Sequence, residues 1–167
     1  MQRIFISCLL FCYFNIAWAH SCNELSKNTA PTDRFEIMND GVVIDKATGL
    51  MWSRCALGQS WDGVQCLNYE TSFFYLEAVE QIELLTLAGF DSWRMPNVKE
   101  LSSIVDRNCR EPSVNFEIFP GMHSRPYWTS TKSNNYNIYG IDMANGNFYP
   151  MSEIYQSPTL FVRDHTQ

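Results

Sequence analysis

Four cysteines constrain this fold most tightly, because they follow a segment that marks the chain for export. Arg3 supplies a positive start, residues 4–14 an apolar run, and Ala17-Trp18-Ala19 a small-x-small cleavage site. A run of about eleven apolar residues is too short for a membrane helix, which takes roughly twenty. Residues 1–19 are therefore expected to be a cleaved signal peptide and not an uncleaved anchor, and no later segment of the sequence is long and apolar enough to span a bilayer. Neither Cys8 nor Cys12 sits in a lipoprotein box. Cleavage after Ala19 leaves Cys22, Cys55, Cys66 and Cys109, an even set that reads as a disulfide framework in an oxidising compartment. Four cysteines allow three pairings. Cys55 and Cys66 are close in sequence across a loop with Gly58 and Gly63, so Cys55–Cys66 is expected, which leaves Cys22–Cys109 to staple the N-terminal arm to the body. With no Cys-x-x-Cys, a zinc site is not expected.

The processed chain is of one-domain size, with residues 20–33 read as an irregular arm and 34–167 as a single domain. Without Arg3, 11 Lys and Arg stand against 18 Asp and Glu, a net of −7. Such a surface repels phosphate backbones and anionic lipid, which argues against nucleic-acid and membrane partners. Aromatic residues make up 14% of the chain, enough side-chain area to build a core.

Local signals outline an α+β fold. Phe35–Met38 and Val42–Ile44 flank Asn39-Asp40-Gly41, a hairpin signature, and Thr48-Gly49 turns into Leu50-Met51-Trp52. Residues 55–69 read as loop. Phe74, Ala78, Ile82 and Leu85 recur at helical spacing and predict a helix over 71–87, stopped by Gly89. Asn97 and Glu100 form a capping box before Val98, Leu101, Ile104 and Val105. Tyr127–Ser130, the alternation of Tyr139, Ile141 and Met143, the Asn145-Gly146 turn and Leu160–Arg163 predict the remaining strands.

Several motifs come in one order: Thr48-Gly49-Leu50-Met51-Trp52, Trp61-Asp62-Gly63, Ser92-Trp93-Arg94-Met95-Pro96-Asn97-x-x-Glu100-Leu101, Tyr127-Trp128-Thr129-Ser130-Thr131 and Phe161-Val162-Arg163. The series resembles the C-terminal domain family of the Legionella collagen-like adhesin over roughly residues 40–165. The resemblance implies a C-type-lectin-like fold, also similar to formylglycine-generating enzymes, with two helices packed on a curved antiparallel sheet and long loops on one side. In the namesake adhesin the domain binds sulfated glycosaminoglycans and trimerises behind a collagen-like stalk. The present chain has no Gly-x-y repeat and is acidic, so neither a trimer nor a sulfated ligand is enforced.

Trp52, Trp93 and Trp128 stand beside apolar residues and are expected to fill the core, where each buries on the order of 200 Å². The alternative is an exposed sugar platform. Arg94 is expected to pair with Asp45 or Asp106 and peg a loop, and Pro96 and Glu100 belong to the same fold motif. A sugar site needs aromatic faces beside amides and carboxylates. Asn134, Asn135, Tyr136 and Asn137, on an expected loop 132–137, offer that mixture, with Asp142, Asn145 and Asn147 on the neighbouring hairpin. The same groups could hold Ca2+, although Met95-Pro96-Asn97 lacks the carboxylate of the lectin calcium triplet. His20, His123 and His165 form no catalytic pattern, and no cofactor is expected. A copper chelate from a terminal His20 and a second histidine is a further idea. The expected function is a non-catalytic module that binds a glycan at the bacterial envelope, in the periplasm or at the surface, with a structural accessory subunit contacting envelope proteins as the alternative.

Overall fold

A computed structural model describes residues 20–166 apart from Glu24, Asn39 and Asn135, so the expected signal segment and Asn135 lie outside the described residues. Among the described residues no helix is long and apolar enough to cross a membrane. The chain is mixed α+β with antiparallel sheets. Strands β2 (Phe35–Ile37), β3 (Val42–Asp45) and β4 (Leu50–Ser53) form a meander, joined on the far edge of β4 by the C-terminal β11 (Val162–Asp164). Gly41 supplies the positive φ (77°) that the first turn needs. A second sheet has β9 (Asn137–Asp142) between β8 (Pro126–Asn134) and β10 (Asn147–Ser152).

Strands β3 and β4 are covered on both faces, which explains why they read as continuous apolar runs and not as alternating ones. Val43, Trp52, Tyr127, Ile141 and Val162 face one core with Leu101 of α2 (Val98–Ser103) and with Ile104, which caps its C-terminus. Val42, Met51, Trp128, Ile138 and Phe161 face a second core with Tyr75, Ala78 and Ile82 of α1 (Tyr75–Glu83). The two helices thus serve separate cores. Trp52, Trp93 and Trp128 are all buried, so they cannot act as a sugar platform. Trp93 and Trp128 donate their indole N–H groups to the carbonyls of Phe90 and Phe73, and Trp52 packs edge-on to Phe119.

Several expectations need correction. Helix α1 covers only the middle of 71–87. Phe73 bridges to Ser157 and Leu87 to Phe90, so extended pairing takes both ends, and Phe74 is left at 41% exposed instead of joining the stripe. The 55–69 loop contains a small hairpin, β5 (Ser60–Trp61) with β6 (Cys66–Leu67). Arg94 pairs with neither Asp45 nor Asp106. Its two terminal nitrogens each donate to a Glu100 oxygen at 2.8 Å, with Asp164 3.7 Å away. Asp45 is taken instead by Arg34, and Asp106 accepts from Thr29 and Asn108.

The arm 20–33 is pinned to the body. Ser21–Cys22 (β1) pairs with Cys109–Arg110 (β7), Ala30 is fully buried, and the Cys22–Cys109 disulfide closes 87 residues of chain. Cys55–Cys66 closes 11. In the chain-entropy picture the longer loop contributes about 4–5 kcal/mol and the shorter about 3 kcal/mol, before strain in the folded state is subtracted. Cys22→Ala/Cys109→Ala is therefore expected to lower Tm by on the order of 5–10 °C, more than Cys55→Ala/Cys66→Ala does. Calorimetry on the two double variants checks this, and an unchanged Tm in both would remove the disulfides from the account of stability.

Candidate functional site

The hairpin residues singled out in the sequence do not converge. Residues 132–134 extend β8 and Asn137 begins β9, so the expected loop shrinks to a tight turn in which Asn134 Oδ1 accepts the Tyr136 N–H at 3.0 Å. Tyr136 is 73% exposed at that turn. Asp142 and Asn145 lie at the other end of β9, which at about 3.3 Å per residue is roughly 17 Å away. Asp142 is also committed locally, with Oδ1 accepting from the Ala144 N–H and Oδ2 from the Asn145 side chain. One sugar or calcium site cannot use both ends.

A different group of side chains converges on residues 122–126, the segment leading into β8. Glu70 is the centre. Its carboxylate is 2% exposed, yet it meets the imidazole of His123 at Nδ1 and Arg125 Nη1 at 3.4 Å, both about half exposed. A buried carboxylate this well enclosed needs such polar partners, and it fixes them in turn. Tyr127 lies fully buried below, and its phenolic oxygen accepts the His123 N–H at 3.1 Å. Burial first, and then the Glu70 charge, push the Tyr127 phenol well above its usual range, so it stays protonated.

The 122–126 segment is a ridge between two hollows. On one side, a groove of about 360 Å³ is lined by Arg125, Tyr149, Pro150, Tyr155 and Gln156, with serines at 152 and 157. Tyr149 and Tyr155 are 39% and 62% exposed. Strand β10 is the free edge of its sheet, where Pro150 is tolerated because no ladder bond is required of its nitrogen. Burial and the Asp142 charge raise the Tyr149 phenol, which therefore remains a hydrogen-bond donor. On the other side, a cavity of about 360 Å³ is lined by His20, Glu111, Phe116, Met122 and His123.

A larger hollow of about 550 Å³ lies beside Asp40, Trp61 and Phe161, but its walls are structurally committed. Gln59 accepts the Ala56 N–H, and Arg54 stacks on Trp61 while donating to the carbonyls of Ile118 and Glu117.

Sequence reasoning missed Glu70, Arg125 and Tyr155, and it met His123 only as a histidine without a pattern. Glu70 is more than fifty residues from His123 and Arg125, so no spacing rule joins them. The available signal was a lone carboxylate between Tyr69 and Thr71 with no cation nearby in sequence.

A family model described as the Lcl C-terminal domain matches residues 41–163. No curated protein matches the chain. Glu70→Gln is expected to cost about 1–2 kcal/mol, discounted because both partners are half exposed. Urea unfolding checks this, and an unaltered midpoint would show that Glu70 does not organise the ridge.

Proposed function

Because this chain belongs to the Lcl C-terminal domain family, we propose that it is an exported, non-catalytic binding module of C-type-lectin-like fold that holds a glycan in the Arg125–Tyr149–Tyr155 groove. The observation that carries this reading is the groove's composition. Two part-exposed tyrosine rings offer faces for the C–H surface of a sugar ring, while Arg125, Gln156 and Ser152 offer hydrogen bonds to hydroxyls. Its volume suits one or two sugar units. Arg125 is held by Glu70, so the groove keeps a fixed donor without gaining a net positive field. Together with the chain's formal net charge of −6, that favours neutral sugars over sulfated polymers. Two disulfides and the Arg3-to-Ala19 pattern support work in the periplasm or at the cell surface.

A second reading rests on a separate surface. Phe74, Leu76 and Ile154 are 41%, 67% and 71% exposed around a shallow hollow of about 330 Å³ beside α1. An apolar patch of that kind suits a protein contact, as in an accessory subunit of an envelope assembly.

A glycan array on the oxidised protein separates the two. Selective binding is expected to survive a chelator, since the Asp142 oxygens are engaged in a turn, and to fall by about tenfold or more in Tyr149→Ala and Tyr155→Ala but not in Tyr136→Ala. A blank array would move the function to the α1 surface, and loss in Tyr136→Ala alone would move the site to the β8–β9 turn.

A further inference from the structure

The disulfide that ties the N-terminal arm to the body is chemically asymmetric, and it lies apart from the sugar groove. Cys22 on β1 is exposed, while its partner Cys109 on β7 is buried. An incoming thiolate attacks the sulfur it can reach, so Cys22 Sγ is the end of this bridge open to exchange. His20 stands over that sulfur, with Nε2 3.2 Å from Cys22 Sγ. The other ring nitrogen, Nδ1, lies 3.1 Å from the Pro112 carbonyl oxygen, which can only accept, so Nδ1 carries the proton and Nε2 keeps its lone pair. A histidine base is thus fixed beside the accessible sulfur. The sulfurs of the closed bridge, and not a second imidazole, stand beside the ring, so the copper chelate set out from the sequence is not the arrangement found.

The buried end is prepared differently. Asp106 is buried, and its Oδ1 accepts the N–H groups of Thr29 and Asn108. Its Oδ2 lies 3.4 Å from Cys109 Sγ, which has no proton to donate while the bridge is closed. Opening the bridge supplies one, because a reduced Cys109 donates its S–H to Oδ2. The adjoining carboxylate also keeps that sulfur a thiol and not a thiolate. The ladder between β1 and β7 sets Cys22 directly opposite Cys109, and the Asn23 N–H donates to the Asn108 carbonyl at 2.9 Å. Cys109 therefore stays poised to close the bridge again.

We propose that Cys22–Cys109 is a thiol-exchange site, in which Cys22 takes a small external thiol as a mixed disulfide, Cys109 resolves it and His20 moves the proton. The thiol S–H gives its proton to His20 Nε2, and the resulting thiolate bonds to Cys22 Sγ. The Sγ–Sγ bond breaks with its electron pair on Cys109 Sγ, and the proton passes from His20 to that sulfur. One disulfide replaces another, so no further oxidant or reductant is consumed. A His20 ring nitrogen and both sulfurs lie within 4.8 Å of one another, a span that one water bridges. The cavity of about 360 Å³ that His20 lines leaves room for a thiol of small-peptide size. Because the bridge closes a long loop it is stable once formed, and the site governs the rate and the target of exchange, not the resting state.

Brief exposure of the oxidised protein to reduced glutathione, followed by acid quenching, alkylation and peptide mass spectrometry, tests this. Cys55–Cys66, with one sulfur buried and the other half-buried, is the internal reference. Cys22–Cys109 is expected to open about tenfold faster than that reference, with the glutathione adduct on Cys22. His20→Ala and His20→Asn are both expected to slow the opening about tenfold or more, although Asn keeps a donor for the Pro112 carbonyl. Full rate in His20→Asn would show that the ring only holds the arm in place. That result, adducts on Cys109, or Cys55–Cys66 opening as fast or faster would overturn the proposal.

Discussion

The structure depends on one charged contact, the bidentate pair between Arg94 and Glu100. Glu100 accepts both terminal nitrogens of Arg94 and, with one of the same oxygens, the Asn97 N–H at 2.7 Å. Asn97 returns the favour to the helix by accepting from the N–H groups of Lys99 and Glu100. The segment so fixed reaches two distant parts of the chain, β8 and β11. The Arg94 backbone pairs with Val162, the Pro96 carbonyl accepts the Ser130 N–H, and Thr131 Oγ1 accepts the Val98 N–H. The contact therefore sets where α2, β8 and β11 meet. Burial pushes the Glu100 carboxyl up, but the bonds from Arg94 and Asn97 and the Arg94 charge outweigh it and hold the group below the usual carboxylate range.

From that junction the ridge follows. Once β8 is fixed at Ser130 and Thr131, Tyr127 and Trp128 must point into opposite cores, and both are fully buried. The chain just before them then emerges at the surface beside Glu70. Arg125 and His123 lie on opposite shoulders of the ridge, which places a tyrosine-lined groove and a two-histidine cavity back to back. The motif tryptophans and arginine are scaffold. The proposed binding chemistry lies on residues the motifs do not include.

Much of the scaffold was legible because its signals are local. Asp40-Gly41 turns, the Asn97–Glu100 box starts a helix and Asn145-Gly146 turns, each within a few residues of sequence. The α1 limits were not legible, because Phe73 and Leu87 carry helical periodicity but find extended partners, Ser157 and Phe90, that outcompete one more helical turn. Arg94 was assigned the wrong carboxylate for a geometric reason. The extended stretch before α2 folds back so that the third helical residue, only six positions on, lies over the guanidinium. The candidate site was the least legible part. Asn134, Tyr136, Asp142 and Asn145 have the right chemical types, but strand length separates them. Glu70 has no distinguishing neighbours, and only tertiary folding delivers His123 and Arg125 to it.

The central claim is that the Arg94–Glu100 motif builds the scaffold and does not contact ligand. Thermal unfolding of Glu100→Gln against the unaltered protein across pH tests it most directly. A carboxyl depressed in the folded state stabilises fully above its unfolded value of about 4.3, and that stabilisation is lost as pH falls through the lower folded value. The unaltered protein is expected to exceed Glu100→Gln by about 1–2 kcal/mol at neutral pH, with the gap closing below about pH 4. Equal stability of the two proteins at every pH would contradict the account and make Glu100 a candidate for direct contact with ligand.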